Sequence, residues 1–125
     1  MLGEANVGKT CIVNRYLKNS FSTGNPSTIG SNFSSKQLEI KPSGCATYSK
    51  IKLQIWDTAG GEQFRSQTPM YYKNASAVCL VYASTAKESF EALNYWVKEL
   101  EERSQKNVLI NVVASKIDDD VREEV

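Results

Sequence analysis

The sequence predicts an α/β fold in which helices pack on both faces of a mostly parallel sheet. Three observations support this prediction. A glycine-containing loop at residues 3–10 opens directly into a helical pattern. Two continuous apolar runs, at 77–81 and 108–113, have the composition of strands that are buried on both faces. An amphipathic helical pattern separates these runs. The 125 residues are enough for one domain with a modest core.

Composition excludes several classes of protein. Lys and Arg total 15 against 14 Asp and Glu, and the net charge of +1 argues against nucleic acid as a partner. There is no histidine, which removes the usual general base and the commonest metal ligand. The three cysteines have no metal-like spacing and are typical of a reducing compartment. No apolar stretch reaches membrane-spanning length and no signal peptide is recognisable, so we expect a cytoplasmic protein.

Residues 3–10 read Gly-Glu-Ala-Asn-Val-Gly-Lys-Thr and match the pattern G-x-x-x-x-G-K-[ST]. Gly3 and Gly8 allow successive backbone N–H groups to point inward at phosphate oxygens, and the following helix presents its positive end to the same anion. Lys9 adds a full charge for the outer phosphates, and the Thr10 hydroxyl suits magnesium. We call residues 3–10 the phosphate loop. The alternative is a chance match in an ordinary glycine-containing turn.

The first helix is predicted over Lys9–Lys18 from its apolar face. Only two residues precede Gly3, so the strand that normally delivers such a loop is expected to be missing. Residues 19–32 are predicted to form a loop that is long enough to be functional or disordered. Phe21 and Thr28 stand out in this loop. The alternative is that Phe21 only anchors the loop to the core and that Thr28 is simply solvated.

An antiparallel hairpin is predicted from strand patterns at 33–41 and 50–56, with a turn at 42–44 between them. The sequence Asp57-Thr58-Ala59-Gly60 follows the second strand. At this position Asp57 can hold magnesium through water, and Gly60 can let a backbone N–H approach a terminal phosphate. The alternative is an ordinary turn that begins with aspartate.

The second half of the chain is predicted to alternate helices and buried strands. A short helix is expected around 69–72, a buried strand at 76–82 and a second buried strand at 107–114. Between the strands, Thr85 and Glu88 have the spacing of a capping box at a helix start. The apolar stripe of that helix is interpreted as core: Phe90, Leu93, Trp96, Val97 and Leu100. The last strand leads into Ser115-Lys116-Ile117-Asp118 and a charged stretch at 118–125.

In this order the motifs resemble those of the small Ras-like GTPases, and within them the Rab branch, with similarity to early-endosomal Rabs. The resemblance implies a P-loop NTPase fold (Ras-like G domain), with residues 1–125 forming a partial G domain, and the cofactors GTP/GDP and Mg²⁺. It implies metal ligation by Thr10, Thr28 and Asp57, and catalysis through Lys9, Thr28 and Gly60. The implied nucleotide-binding residues are Gly3, Glu4, Ala5, Asn6, Val7, Gly8, Lys9, Thr10, Cys11, Phe21, Thr28, Asp57, Gly60, Ser115, Lys116 and Asp118.

Guanine recognition is implied at the end of the last strand. Ser115-Lys116-Ile117-Asp118 resembles the family's NKxD element, and Phe21 falls where the family places an aromatic ring against the base. The Asp118 carboxylate can accept hydrogen bonds from two adjacent guanine donors that adenine lacks, and the Lys116 stem can lie along the purine face. The alternative is that both are solvated charges at the start of an acidic run.

The resemblance also implies partners and a location. An effector surface is expected at Ile29, Phe33, Trp56 and Tyr71, and the alternative for its aromatic residues is plain core packing. An exchange factor, an activating protein and effectors would read the nucleotide-dependent switches in vesicle or endosomal membrane traffic. The expected site is the cytosolic face of endosomal membranes, reached only through a C-terminal lipid anchor that this sequence does not carry.

Three departures from the family pattern bear on the mechanism. Gly61 stands where the family has the glutamine that orients water, and Gln63 cannot be assumed to replace it, so slow GTP hydrolysis is expected. Ser115 replaces asparagine and is expected to reach less far, which weakens affinity. Ala83 stands where aspartate is usual, so a polar contact is expected to be lost.

The ends of the sequence lack the family's first strand, last strand, last helix and C-terminal tail, so unpaired sheet edges are expected. Two rival hypotheses remain open. One is a degenerate nucleotide-binding interaction module with little or no turnover, or a non-functional fragment. The other is an unrelated P-loop ATPase or kinase, which would need a different element for the base.

Overall fold

Helices and strands alternate along residues 1–118, the part of the chain that the computed structural model describes. The helices are α1 (Lys9–Lys18), α2 (Pro69–Tyr72), α3 (Lys87–Glu91) and α4 (Leu93–Arg103), with a 3₁₀ helix at Glu62–Phe64. The strands are β1 (Ser31–Ile40), β2 (Ser49–Thr58), β3 (Ala77–Ala83) and β4 (Leu109–Ser115). The predicted first helix is confirmed at both ends. The charged stretch beyond Asp118 lies outside the described residues.

Strands β1 and β2 form the predicted antiparallel hairpin, in a register that pairs Ser31 with Thr58 and Ile40 with Ser49. Both strands are longer than predicted at the end away from the turn. Asp57 therefore does not follow the strand, as expected, but lies within it and pairs with Asn32. The additional residue pairs, Ser31 with Thr58 and Asn32 with Asp57, place Asp57 in the strand ladder rather than in a turn.

The first two residues connect the hairpin to the parallel pair formed by β3 and β4. On one side, Leu2 N–H donates to Cys79 O at 2.8 Å and Leu2 O accepts from Val81 N–H at 2.8 Å. On the other side, the Met1 amine donates to Trp56 O at 2.8 Å. Two residues thus lie where the sequence predicted a missing strand, and they join both strand pairs.

Helices pack on both faces of β3, as the sequence predicted. Leu80 is fully buried on one face, in a cluster with Leu2, Trp96 and Leu100. Val81 is fully buried on the opposite face, in a cluster that includes Val7 and is packed against by Ile12 of α1 and Val113 of β4. Alternation along the strand therefore sends successive side chains to the two helical layers. The predicted α/β fold is confirmed.

The prediction that β4 is buried on both faces is wrong. Leu109 is 67% exposed and Val112 is 57% exposed. Within residues 1–118, β4 pairs only with β3, and its other edge has no further strand. The apolar composition was interpreted correctly as a strand, but its burial depends on neighbours that sequence pattern alone does not supply.

The prediction of one capped helix after β3 is also wrong in two respects. The helical segment is divided at Ala92 into α3 and α4, and the residue before α3 is Ala86, with no side-chain cap. The Ser89 hydroxyl instead contacts Ala86 O at 2.6 Å and accepts from the Ala83 N–H at 3.0 Å. Phe90, predicted as core, is 44% exposed and contacts Tyr82 edge to face.

Candidate functional site

The phosphate loop connects Leu2, beside β3, to the first residue of α1. It turns through three residues with positive φ: Gly3 at 143°, Asn6 at 61° and Gly8 at 96°. A Cβ atom on Gly3 would also overlap the carbonyl of Val81. Glycine is therefore required at position 3 both for its backbone conformation and for the close approach to β3.

Lys9 folds back over the loop that precedes it. Its Nζ donates to Gly3 O at 2.9 Å and to Glu4 O at 2.6 Å, and the side chain is buried. Burial away from water lowers the pKa of the Lys9 ammonium to about 8, while the carboxylates of Asp57 and Glu4 offset part of that effect. The ammonium is thus held at the loop by two carbonyls, which are weaker partners for it than an anion.

Three oxygen-bearing side chains from distant parts of the chain meet at the start of α1. The Thr10 hydroxyl donates to Asp57 Oδ2 at 2.6 Å and lies 2.7 Å from the Thr28 hydroxyl. Because Thr10 has one proton and gives it to Asp57, Thr28 is the donor in the second bond. The other carboxylate oxygen, Asp57 Oδ1, is buried and has no partner among the described residues.

This oxygen cluster fits the ligand chemistry of magnesium. Mg²⁺ prefers hard oxygen donors and is typically held by one or two carboxylates together with phosphate oxygens and water. The cluster offers one carboxylate and two hydroxyls, and its unpartnered Asp57 Oδ1 is a polar atom that a cation or its water would satisfy. The structure thus brings Thr10, Thr28 and Asp57 together, as the motifs predicted.

Gly60 lies directly against the phosphate loop. A Cβ atom at Gly60 would overlap the backbone of Glu4 and Ala5. The segment is fixed just before this point, because the Ala59 N–H donates to Gly30 O at 2.7 Å. The backbone after β2 is therefore held directly beside the phosphate loop.

Ser115, at the end of β4, contacts the phosphate loop. Its hydroxyl lies 2.5 Å from Val7 O and 3.0 Å from Tyr82 O. Although serine was expected to reach less far than asparagine, β4 ends close enough to the loop for this short side chain to contact it. Nearby, the Ser84 hydroxyl donates to Lys116 O at 3.1 Å, and Lys116 has a positive φ of 57°. Serines thus supply polar contacts at this corner, next to the buried Ala83.

A cleft of about 1080 Å³ runs from the phosphate loop to the end of β4. Phe21, Lys116 and Asp118 line one end of it, and Phe21 is 60% exposed with the Arg15 guanidinium 5.9 Å from its ring centre. Phe21 therefore does not anchor its loop in the core. Most predicted nucleotide-binding residues line this cleft, and those that lie behind its wall are Gly3, Glu4, Val7 and Asp57.

Three aromatic side chains, two from the hairpin and one from α2, form a contiguous group that we call the aromatic triad: Phe33, Trp56 and Tyr71. Ring centres are 4.8 Å apart for Phe33 and Trp56, and 5.3 Å apart for Trp56 and Tyr71. Phe33 is 49% exposed and Trp56 is 41% exposed, so these rings are not core residues. Ile29, the fourth predicted effector position, is 83% exposed.

Sequence reasoning missed the role of Arg65. Its guanidinium forms an ion pair with Glu4 of the phosphate loop at 2.8 Å and lies 4.5 Å from the ring centre of Tyr95 in α4. The two charges are 61 residues apart and belong to no common motif. No signal in the sequence pairs them.

The fold and the site together define a class of protein. Leu2 pairs in parallel with Leu80 of β3, and the phosphate loop follows directly after it. This loop turns at its glycines, leads into α1 and carries the buried Lys9, which is the arrangement of P-loop proteins. The model of the Ras family matches residues 1–125, and the chain belongs to that family.

Relatives with known names indicate the branch of the family. The chain is 44% identical over 125 residues to human Ras-related protein Rab-30, covering 100% of this chain and 59% of that protein. It is 42% identical over 118 residues to the Ras-like GTP-binding protein RYL2 of Yarrowia lipolytica, covering 94% and 54%. It is 43% identical over 118 residues to the putative Ras-related protein Rab-5B of Dictyostelium discoideum, covering 94% and 52%. The predicted resemblance to the Rab branch is confirmed.

The chain spans little more than half the length of these relatives. Within residues 1–118, no helix combines the length and the apolar composition that a membrane crossing requires.

Proposed function

We propose that this chain is the partial G domain of a Rab-type molecular switch, which binds GTP or GDP with Mg²⁺ and hydrolyses GTP slowly. The single observation that supports this most strongly is the convergence of Thr10, Thr28 and Asp57 beside the buried Lys9. These residues come from α1, the loop before β1, and β2. Their meeting beside a phosphate loop is what binding of a metal–phosphate complex requires.

Phosphate binding is assigned to the loop backbone and Lys9. An outer phosphate would replace the carbonyls of Gly3 and Glu4 as the partner of the Lys9 ammonium. Thr10, Thr28 and Asp57 would hold Mg²⁺, which when bound neutralises charge on the phosphate oxygens. Thr28 and the Gly60 N–H would close over the terminal phosphate. Loss of that phosphate releases both segments, which is how such a switch changes state.

Base recognition is assigned to the far end of the cleft. Asp118 would accept from the ring N–H and the exocyclic amine of guanine, while Lys116 and Phe21 would cover the faces of the ring. The Ser115 hydroxyl supports this end by its contact with Val7 O of the phosphate loop. The lining of the cleft by Phe21, Lys116 and Asp118 supports this assignment.

The cellular role is proposed from the named relatives. Vesicle or endosomal membrane traffic is the proposed process, in which effectors read Ile29 and the aromatic triad when the switches are ordered. An exchange factor and an activating protein would control the nucleotide state. Slow hydrolysis is proposed because Gly61 has no side chain of its own, so that the attacking water can be oriented only from another residue. The rival is a nucleotide-binding interaction module with little or no turnover, which Gly61 also favours.

The test is to denature the purified protein, identify the released nucleotide by chromatography, and measure competition between GTP and ATP. We expect near-stoichiometric GDP or GTP. Asp118→Asn should weaken GTP affinity by about 100-fold, because hydrogen bonds to a charged acceptor contribute roughly 1.5–3 kcal/mol each. Glu101→Gln, an exposed change on α4, serves as the matched control. Equal affinity for GTP and ATP would contradict the guanine assignment, and GTP binding without any turnover would favour the rival.

A further inference from the structure

The side-chain amide of Gln63 occupies the space beside Gly61. A Cβ atom placed on Gly61 would lie 2.8 Å from Gln63 Oε1, 3.1 Å from Cδ and 3.2 Å from Nε2. All three heavy atoms of the amide therefore surround the point from which a side chain at position 61 would start. Given the proposed GTP hydrolysis, on which this inference rests, we propose that the Gln63 side chain contacts and orients the attacking water in place of a side chain at position 61.

The backbone explains how residue 63 reaches back to residue 61. Gly61 is extended, with φ −69° and ψ 148°, and the 3₁₀ helix Glu62–Phe64 begins directly after it. The Phe64 N–H donates to Gly61 O at 2.9 Å, which closes a tight turn. This turn folds the Gln63 side chain over Gly61, a placement that spacing along the sequence does not reveal.

The Gln63 amide lies close to the Cβ position from which a glutamine at position 61 would carry its own amide. In glutamine the amide carbon is separated from Cβ by a single methylene, and here the Gln63 amide carbon is 3.1 Å from the Cβ position of residue 61. Gly61 and Gln63 also line the same cleft as Thr28 and Gly60. The amide is thus on the side of the cleft where the proposed terminal phosphate is bound.

The chemistry of the Gln63 side chain suits the task. A primary amide both accepts and donates hydrogen bonds, so it can accept from a water proton and donate to a phosphate oxygen. Gln63 is exposed, and no protein group within residues 1–118 hydrogen-bonds to its amide. Its neighbour Glu62 is not an alternative, since Glu62 does not line the cleft and its carboxylate lies 3.7 Å from the Arg65 guanidinium.

The reaction leaves Gln63 unchanged. The water oxygen forms a bond to the terminal phosphorus, and the bond from that phosphorus to the bridging oxygen breaks. The bridging oxygen leaves with the electron pair on the diphosphate, and the water proton passes to the phosphate released. Gln63 contributes orientation only and neither gains nor loses a proton.

The experiment measures binding of a fluorescent GTP analogue and single-turnover GTP hydrolysis on the same preparations of the full chain with Mg²⁺. Gln63→Met keeps the shape and removes the hydrogen bonds, so we expect an unchanged Kd and a rate about 10- to 100-fold lower. Gln67→Ala, an exposed glutamine outside the cleft, is the matched control and should hydrolyse at the original rate.

A rescue separates positioning from a structural role. The double variant Gly61→Gln with Gln63→Met should recover most of the lost rate, because an amide returns to the same place. A hydrolysis rate for Gln63→Met equal to that of the unmodified protein overturns the inference, as does an unmodified protein that binds GTP but never hydrolyses it. Failure of the unmodified protein to bind GTP is a different result, which overturns the proposed function and this inference together.

Discussion

Burial makes the charged form of Lys9 unfavourable in the folded protein. It lowers the pKa of Lys9 from 10.5 to about 8, so that above about pH 8 the side chain is mostly neutral in the folded protein. The unfolded chain keeps that proton up to about pH 10.5. Between these values the unfolded state binds more protons, so this group makes the folded protein more stable as pH rises through that window. A bound phosphate has the opposite preference, because it favours the charged ammonium.

Nucleotide binding should therefore take up a proton at alkaline pH. At about pH 8.5 the anion raises the pKa of Lys9, whose value before binding is about 8, and the ammonium recovers its proton. The affinity for a non-hydrolysable GTP analogue should fall as pH increases beyond that point. Calorimetric titration in buffers of different ionisation enthalpy measures the uptake directly. The same titration near pH 7 is the control and should show none from this group, whereas absence of uptake at pH 8.5 would refute the coupling.

Gly60 and its neighbour Gly61 provide a matched pair for testing the close approach of the backbone to the phosphate loop. A Cβ atom at Gly60 would overlap backbone atoms of Glu4 and Ala5, which cannot move aside without deforming the loop. We expect Gly60→Ala to lower the free energy of unfolding by about 1–3 kcal/mol, as overpacking does. A Cβ atom at Gly61 meets only the flexible Gln63 side chain, so Gly61→Ala should be tolerated. Thermal melting compares the two, and equal melting temperatures would contradict the prediction.

At the scale of elements, Arg65 joins three separate parts of the fold. It forms its ion pair with Glu4 of the phosphate loop, contacts Glu62 of the 3₁₀ helix at 3.7 Å, and lies over Tyr95 of α4. Both partners of the closest pair are about a quarter exposed, so water screens this pair less than an ordinary surface pair. Arg65 thereby connects the 3₁₀ helix to the phosphate loop.

Removing the Arg65 side chain should destabilise the packing of the 3₁₀ helix against the phosphate loop. We expect Arg65→Ala to reduce the free energy of unfolding by about 1–2 kcal/mol, from the loss of one ion pair and one cation–π contact. Arg103→Ala is the control, since the Arg103 side chain is 56% exposed in its pair with Glu99. A double-mutant cycle with Glu4→Ala isolates the pair by chemical denaturation. A coupling energy of zero would show that the two charges do not stabilise each other.

Elements were predictable from the sequence where local periodicity determines them, and not where distant neighbours do. Helix α1 and the two-faced burial of β3 follow from the spacing of apolar residues. The exposure of β4 does not, because it depends on which strands flank it. The prediction of a capping box was wrong. Ala86 is the residue at the N-cap position, and the Ser89 hydroxyl instead forms hydrogen bonds with the backbone of Ala83 and Ala86.

Some residues of the candidate site were likewise predictable from the sequence, and others were not. Thr10, Thr28 and Asp57 were found from motifs, since each motif places one oxygen-bearing side chain at a defined strand or loop position. The contact between Ser115 and Val7 O was not found, because the reach of a side chain depends on how closely β4 passes the loop. The position of the Gln63 side chain beside Gly61 depends on a tight backbone turn, and it could not be predicted from the sequence either.

At the scale of the whole molecule, the strands within residues 1–118 form two separate pairs rather than one continuous ladder. The antiparallel pair β1–β2 and the parallel pair β3–β4 share no ladder of their own, and Met1 and Leu2 join them. The Thr58 hydroxyl adds a bond of 2.7 Å to Met1 O on the hairpin side. The phosphate loop begins at the very next residue, so its position is determined by both halves of the sheet.

This junction has a consequence for the order in which the chain folds. Forming the hairpin closes only a short loop, whereas pairing Leu2 with Leu80 closes a loop that contains more than half of the chain. The entropy lost in closing the longer loop must be offset by contacts that form later, which makes this step slow. We therefore expect the hairpin to form early in refolding and the phosphate loop to form last. Recovery of nucleotide affinity during refolding would then lag behind recovery of secondary structure. The nucleotide would stabilise the native state only after this last step, because only then does its binding site exist.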